Sequence, residues 1–297
     1  MYKAHFGLRE FPFGITPDTS FFFACATSQE ALNTLLIAVK NGEGFIKITG
    51  EVGTGKTLLC RKFMATLDAS YFSAYIPNPY LEPRTLLLAL ADELEIPQDK
   101  DVDQHQLLKA INHRLLVLAR NGRRVVLCVD EAQAMPLESM EVLRLLTNLE
   151  TEKRKLLQII LFGQPELDRK LEQESIRQLA QRITFQYHMG PLSKDDVDFY
   201  ISHRLSVAGF TGSRLFAKDA VRELKKASGG IPRLVNILAH KSLMLTYGEG
   251  KREVRASHVK MASKDTLASR PSPLRWLGLG GVLLLAVGGA AVWAVMR

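Results

Sequence analysis

One short stretch constrains this chain more than any other: Gly50-Glu51-Val52-Gly53-Thr54-Gly55-Lys56-Thr57, between an apolar run and a helical one. Phe45 to Thr49 reads as a short buried strand and Lys56 to Leu67 as the helix that follows. The stretch matches GxxxxGK followed by Ser or Thr at every specified position, the pattern of a Walker A phosphate-binding loop. Its glycines allow the backbone angles that turn successive N–H groups toward phosphates. Lys56 supplies a cation for the β- and γ-phosphates, Thr57 a hydroxyl for Mg²⁺, and the helix start a positive end. A Gly-rich turn of no function is the competing reading, and the flanking strand and helix argue against it. Gly50, Glu51, Val52, Gly53, Thr54, Gly55, Lys56, Thr57 and Leu58 are therefore expected to hold ATP with Mg²⁺.

The rest of the chain alternates in the way such a loop requires. Tyr71–Ile76, Arg123–Val129, Leu156–Phe162 and Ile183–His188 read as strands, with helical spacing over 83–94, 103–121 and 137–150. Strands alternating with helices imply a parallel sheet covered on both faces. After Gly190-Pro191 the strands stop, and 195–208, 217–227, 232–247 and 256–264 are all helical. Ser193, ahead of Lys194-Asp195-Asp196, reads as an N-cap with acids in the first turn. The expected organisation is an N-terminal aromatic and Pro-rich segment over 1–40, packed on the core. An α/β domain over 41–190, a helical lid over 191–265 and a linker over 266–275 follow.

A second site is expected where the strand ending at Val129 meets Asp130-Glu131. A strand-end acid beside a phosphate loop holds Mg²⁺ through water, the role that fits Asp130 beside Thr57, and Glu131 is placed to polarise the attacking water. The competing reading is a strand end that meets solvent with two acids. Cys25, Cys60 and Cys128 are scattered, odd in number and free of CxxC spacing, a reducing-compartment pattern. The histidines show no ligand spacing, and no nucleophile elbow appears.

The formal net charge of +8 is concentrated near the end. Lys251, Arg252, Arg255, Lys260, Lys264, Arg270 and Arg275 are opposed only by Glu253 and Asp265. Such a window fits a nucleic-acid surface or a stretch beside an anionic membrane. From Trp276 to Met296 no residue is charged. A run of ~20 apolar residues is long enough to span a bilayer, and flanking basic residues stay on the cytoplasmic side. The expectation is a single-pass inner-membrane protein with its ATPase domain cytoplasmic and a transmembrane helix over 276–296. Ala286, Ala290 and Ala294 repeat at a spacing that allows close helix contact in lipid.

Several motifs agree with one family. Val129-Asp130-Glu131-Ala132-Gln133, Phe162-Gly163-Gln164-Pro165-Glu166-Leu167 and Gly229-Gly230-Ile231-Pro232-Arg233 resemble the ExeA/GspA branch of the AAA+ ATPases. So does the opening from His5-Phe6-Gly7-Leu8 through Pro12-Phe13 to Pro17-Asp18. The resemblance implies a sensor 1 role for Gln164, at the fourth strand's end, against the alternative of a turn residue before Pro165. It implies a sensor 2 role for Arg233, reaching from the lid, against that of an exposed first-turn arginine. It places an arginine finger for a neighbouring subunit at Arg182, with Arg177 as competitor. It further implies a homo-oligomer that serves an inner-membrane protein of a pilus or secretion complex, with MSHA-type pilus biogenesis the nearest architecture. Nucleic acid is not expected as a partner, nor is peptidoglycan, because no periplasmic domain follows the apolar run. The aromatics Phe6, Phe11, Phe13, Phe21, Phe22 and Phe23 either pin the terminal segment, the preferred reading, or line an adenine pocket. A DNA-dependent ATPase of the transposition type and a nucleotide-binding scaffold with little turnover are the alternatives in function.

Overall fold

In the computed structural model of the chain, the described residues are 2–97, 102–150 and 154–266. Five strands form one parallel sheet: β1 (Phe45–Gly50), β2 (Tyr71–Ile76), β3 (Arg124–Val129), β4 (Leu157–Gly163) and β5 (Phe185–Met189). Their order is β2-β3-β4-β1-β5. β3 and β4 are buried along almost their whole length, because helices cover both faces.

Helices α1 (Tyr2–Phe6) and α2 (Ala26–Asn41) precede the sheet, and α3 (Lys56–Thr66) follows β1. Next come α4 (Pro83–Glu93), α5 (Gln104–Arg120), α6 (Leu137–Leu146), α7 (Glu166–Leu171) and α8 (Arg177–Ala180). Leu35 and Val39 of α2 and Leu59 and Phe63 of α3 pack on one face of the sheet, against Ile46, Ile48, Ile160 and Phe162. The opposite face carries α4 to α8 through residues such as Leu87, Leu90, Ile111, Leu115, Leu143 and Leu167. Gln158, buried in β4, donates to the carbonyls of Val39 and Glu43 and so fixes the end of α2.

Beyond β5 the chain is helical: α9 (Lys194–Val207), α10 (Lys218–Ser228), α11 (Pro232–Gly248) and α12 (Ala256–Lys264). Ser193 and Asp196 close a reciprocal capping box at the start of α9. Pro191 and the short segment before this cap mark the change from sheet to helices. This unit has its own core, which also takes in Tyr2, Phe6, Leu8, Phe13 and Phe21 from the start of the chain. Tyr2, Phe6, Phe13 and Phe21 thus sit among helices, whereas Phe22 packs against the core on the α2 and α3 face of the sheet.

The expected single-pass membrane location needs correction. Among the described residues no helix is long and apolar enough to cross a membrane. α5 and α11 have 17 residues each, about 26 Å at 1.5 Å per residue against a hydrocarbon core of about 30 Å. Both also carry charged side chains, Lys109 and Arg114 on one and Arg233 and Lys241 on the other. The expected transmembrane helix at 276–296, like the linker beyond Thr266, lies outside the described residues.

Candidate active site

Parallel sheets bind ligands at the carboxyl ends of their strands, where neighbouring connections diverge. Here β1 is that strand, flanked by β4 and β5, and the loop from Gly50 to Gly55 leaves its end. Gly55 has a φ of 101° as it enters α3, a left-handed conformation that favours glycine. Gly53, at φ 84°, has a further constraint: a Cβ there would lie 2.6 Å from Cβ of Arg233. The first turn of α11 therefore sits directly on the loop, and the Arg233 N–H donates to the Gly53 carbonyl at 3.1 Å.

Lys56 is buried, and its Nζ donates to the carbonyls of Gly50 at 2.7 Å and Glu51 at 3.1 Å. Burial holds its pKa below the usual lysine range, opposed by the charges of Glu131, Asp130, Glu51 and Glu166. Thr57 Oγ1 donates to Oδ2 of Asp130 at 2.7 Å. Asp130 is 2% exposed and also accepts from the Glu131 N–H at 2.9 Å. Burial pushes the Asp130 carboxyl up, while its bonds to Thr57 and to the Glu131 N–H pull the other way. A hydroxyl and a carboxylate in contact at the loop's edge are the donor pair that suits Mg²⁺ beside phosphates.

Glu131 has a φ of 50° and a ψ of 36°, a left-handed conformation uncommon for a side-chain-bearing residue. That turn starts the 3₁₀ segment Ala132–Ala134 and aims the carboxylate at the cleft beside the loop. Oε2 of Glu131 accepts from Nε2 of Gln133 at 2.7 Å and from Nε2 of Gln164 at 3.1 Å. Gln164, at the end of β4, therefore touches the acid rather than standing alone as a turn residue.

The cleft holds about 170 Å³ and is shared by four parts of the chain. The loop contributes Val52, Gly53 and Gly55 to Leu58, and the sheet contributes Glu131. Helices α9 and α11 contribute Tyr200, Arg204, Pro232, Arg233 and Asn236, and the N-terminal segment contributes Gly14 to Asp18. Arg204 is 5% exposed and donates to the carbonyls of Pro12 at 2.5 Å and Gly14 at 3.4 Å, with Phe21 stacked 4.6 Å from its guanidinium. Asn236 donates to Gly14 O at 3.2 Å and accepts from the Tyr200 hydroxyl at 2.9 Å. The buried Phe6, Phe13 and Phe21 pin the terminal segment, and Gly14 to Asp18 between Phe13 and Phe21 line the cleft. Arg204 and Asn236 escape sequence reasoning because no motif marks them; Gly14 to Asp18 fall in the opening motif that ends at Pro17-Asp18, but that motif carried no binding role.

Arg182 and Arg177 do not line this cleft. Arg182 is half-buried, its Nη1 donating to Thr147 Oγ1 at 2.5 Å and Arg144 O at 3.2 Å, whereas Arg177 is exposed where α8 begins. A larger cleft, of about 800 Å³, lies along β1 and β5 over the Lys47–Asp168 ion pair. It contains no phosphate-binding loop, so volume alone does not locate the chemistry.

This sheet order, with a phosphate loop after β1, an acid pair after β3 and a helical unit against the loop, defines a P-loop protein of the AAA type. Residues 39–171 match the family model described as an AAA domain. The chain is 42% identical over 292 residues to General secretion pathway protein A of Aeromonas hydrophila, an alignment covering 97% of this chain and 53% of that protein. It thus spans about half the length of that relative. Among solved structures, Cdc6p from Pyrobaculum aerophilum aligns with a TM-score of 0.67 at 18% identity, over 84% of this chain and 71% of that one. The Aeropyrum pernix ORC2 protein aligns with a TM-score of 0.63 at 14% identity, over 88% and 74%. At such identities these two establish the fold alone. The chain belongs to the ExeA/GspA-like AAA ATPase family.

Proposed function

We propose that this chain binds Mg²⁺·ATP in the cleft beside Gly50–Thr57 and hydrolyses it by in-line attack of water on the γ-phosphate. One observation carries the reading: Lys56, Thr57, Glu131 and Arg233 line a single cleft, with Asp130 bonded to Thr57 behind it. Bound Mg²⁺ would neutralise phosphate charge, held through Thr57 and Asp130. Glu131 orients the attacking water, Gln164 steadies that acid, and Lys56 leaves the loop carbonyls for the phosphates. Arg233 adds charge from a helical unit that acts as a lid, since its backbone already rests on Gly53. An arginine from a second copy, Arg182 or the more exposed Arg177, completes charge stabilisation in a homo-oligomer.

We take the cellular task from the relative, whose printed name is that of a general secretion pathway protein. Identity of 42% across nearly the whole chain supports work on a secretion-related machine; type IV pilus assembly of the MSHA kind is the narrower form that the motif resemblance implies. The direct test measures phosphate release by the purified full chain against protein concentration. Mg²⁺-dependent turnover that rises with self-association supports the proposal, and absence of Mg²⁺·ATP binding contradicts it. DNA-stimulated turnover would move the task toward nucleic acid. In cells, loss of secretion or pili on deletion, restored by the wild type but not by Lys56→Ala, supports the envelope role.

A further inference from the structure

The motif Asp130-Glu131-Ala132-Gln133 contains one polar side chain to which the hydrolysis scheme gives no task. Gln133 bridges the two strand ends of the site. Its Oε1 accepts from the backbone N–H of Gln164 at 2.9 Å, and its Nε2 donates to Oε2 of Glu131 at 2.7 Å. A backbone N–H can only donate, so the amide has one orientation and its NH₂ group must face the carboxylate. Two further features hold the bridge in place. Lys170 Nζ donates to the carbonyls of Gln133 and Met135, both at 2.7 Å, which fixes the backbone of the 3₁₀ segment. Gly163 keeps the approach open, since a Cβ there would lie 3.3 Å from Gln133 Oε1 and 2.7 Å from Leu167 Cδ2.

Both amide donors, from Gln133 and Gln164, converge on the same oxygen, Oε2. With one carboxylate oxygen occupied twice, the other, Oε1, is the one presented to water. The backbone alone would not hold this pose, because Glu131 sits in an uncommon left-handed conformation and its side chain is only half-buried.

We infer that Gln133 is a positioning residue for ATP hydrolysis: it anchors Oε2 of Glu131 and ties that anchor to the backbone of Gln164. This rests on the reading of Glu131 as the residue that orients water. Because Gln133 spans from the end of β3 to the end of β4, a shift of Gln164 as it meets the γ-phosphate is passed directly to Glu131. Gln133 does not line the cleft, so nucleotide affinity should be indifferent to it.

The test is kinetic. In the full-length chain, Gln133→Ala is expected to lower kcat about 10- to 100-fold, the range for misplacing a reacting group. KM for Mg²⁺·ATP and the equilibrium affinity for a fluorescent ATP analogue should stay within about threefold of wild type. Gln133→Glu keeps the size and the acceptor for the Gln164 N–H but sets a second carboxylate against Glu131 Oε2 in place of the donor, so it should lose kcat at least as severely. In a Glu131→Gln background, Gln133→Ala should produce no further loss. Unchanged or raised kcat in both Gln133 variants, or an equal loss with and without Glu131, overturns the positioning role. If Glu131→Gln itself leaves turnover intact, the reading of the site fails instead.

Discussion

The hydroxyl of Thr57 donates to Oδ2 of Asp130 across 2.7 Å, joining the first turn after the phosphate loop to the end of β3. Two segments 73 residues apart in sequence are thereby joined at the edge of the phosphate loop. The contact has an energetic cost, because Asp130 is almost fully buried and its carboxyl is pushed up by that burial.

This cost gives a pH-dependent prediction. Between the ordinary aspartate pKa and the raised folded value, the folded chain binds the extra proton, so Asp130's contribution to stability falls as pH rises through that window. At neutral pH, Asp130→Asn should therefore raise the melting temperature of the nucleotide-free chain while abolishing Mg²⁺-dependent turnover. The gain over wild type should shrink as pH drops through the raised folded pKa. Differential scanning fluorimetry across pH measures this, and a lower melting temperature for the variant at neutral pH would count against it.

Contact between Gly53 and Arg233 predicts that the loop and the start of α11 bind nucleotide together. Removing the Arg233 side chain with Arg233→Ala should weaken Mg²⁺·ATP about 10- to 100-fold, the loss of one charge-assisted contact of about 1.5–3 kcal/mol. Gly53→Ala should do at least as much, because the new Cβ meets Arg233 Cβ at 2.6 Å and the residue's φ is 84°. Titration with a fluorescent ATP analogue checks both.

Arg204 predicts a structural effect that reaches the cleft. Its guanidinium satisfies the carbonyls of Pro12 and Gly14 in a buried setting. Arg204→Met should leave those acceptors unpaired, at about 2–3 kcal/mol, and should loosen the N-terminal segment. Faster proteolysis near residues 12–18 and a lower melting temperature are the expected signs, with weaker nucleotide binding because Gly14 to Asp18 line the same cleft.

The two finger candidates are separable by mixing. Of Arg177→Ala and Arg182→Ala, only the chain that lacks the finger should be inactive alone and recover turnover when mixed with Glu131→Gln chains, because each then supplies what the other lacks at a shared interface. Arg182→Ala should also lower the melting temperature, since it loses its bonds to Thr147 and the Arg144 carbonyl; Arg177→Ala should not.

Legibility in the sequence followed the range of each interaction. The loop at Gly50–Thr57 is a local pattern whose spacing states its chemistry, and Tyr71–Ile76 stood out as a strand through apolar and aromatic residues. The fifth strand was placed at Ile183 but begins at Phe185, because Arg182 and Ile183 complete turns with Leu179 and Ala180 before pairing starts. The Arg204 clip and the Gln133 bridge were not legible, because each depends on residues brought together only by the fold. Pro12 and Arg204 are 192 positions apart. The membrane location misled for a different reason: it rested on the apolar run at 276–296 and the basic residues before it, while no described helix is long and apolar enough to cross a membrane.

The central claim, that this cleft hydrolyses ATP through Glu131, is tested most directly by one comparison of the wild type with Glu131→Gln. Equilibrium Mg²⁺·ATP binding and single-turnover phosphate release would be measured on the same preparations. The account predicts affinity within about threefold and release slowed at least about a hundredfold, the scale of a lost general base. Equal release rates for the two proteins, with nucleotide bound in both, would contradict it.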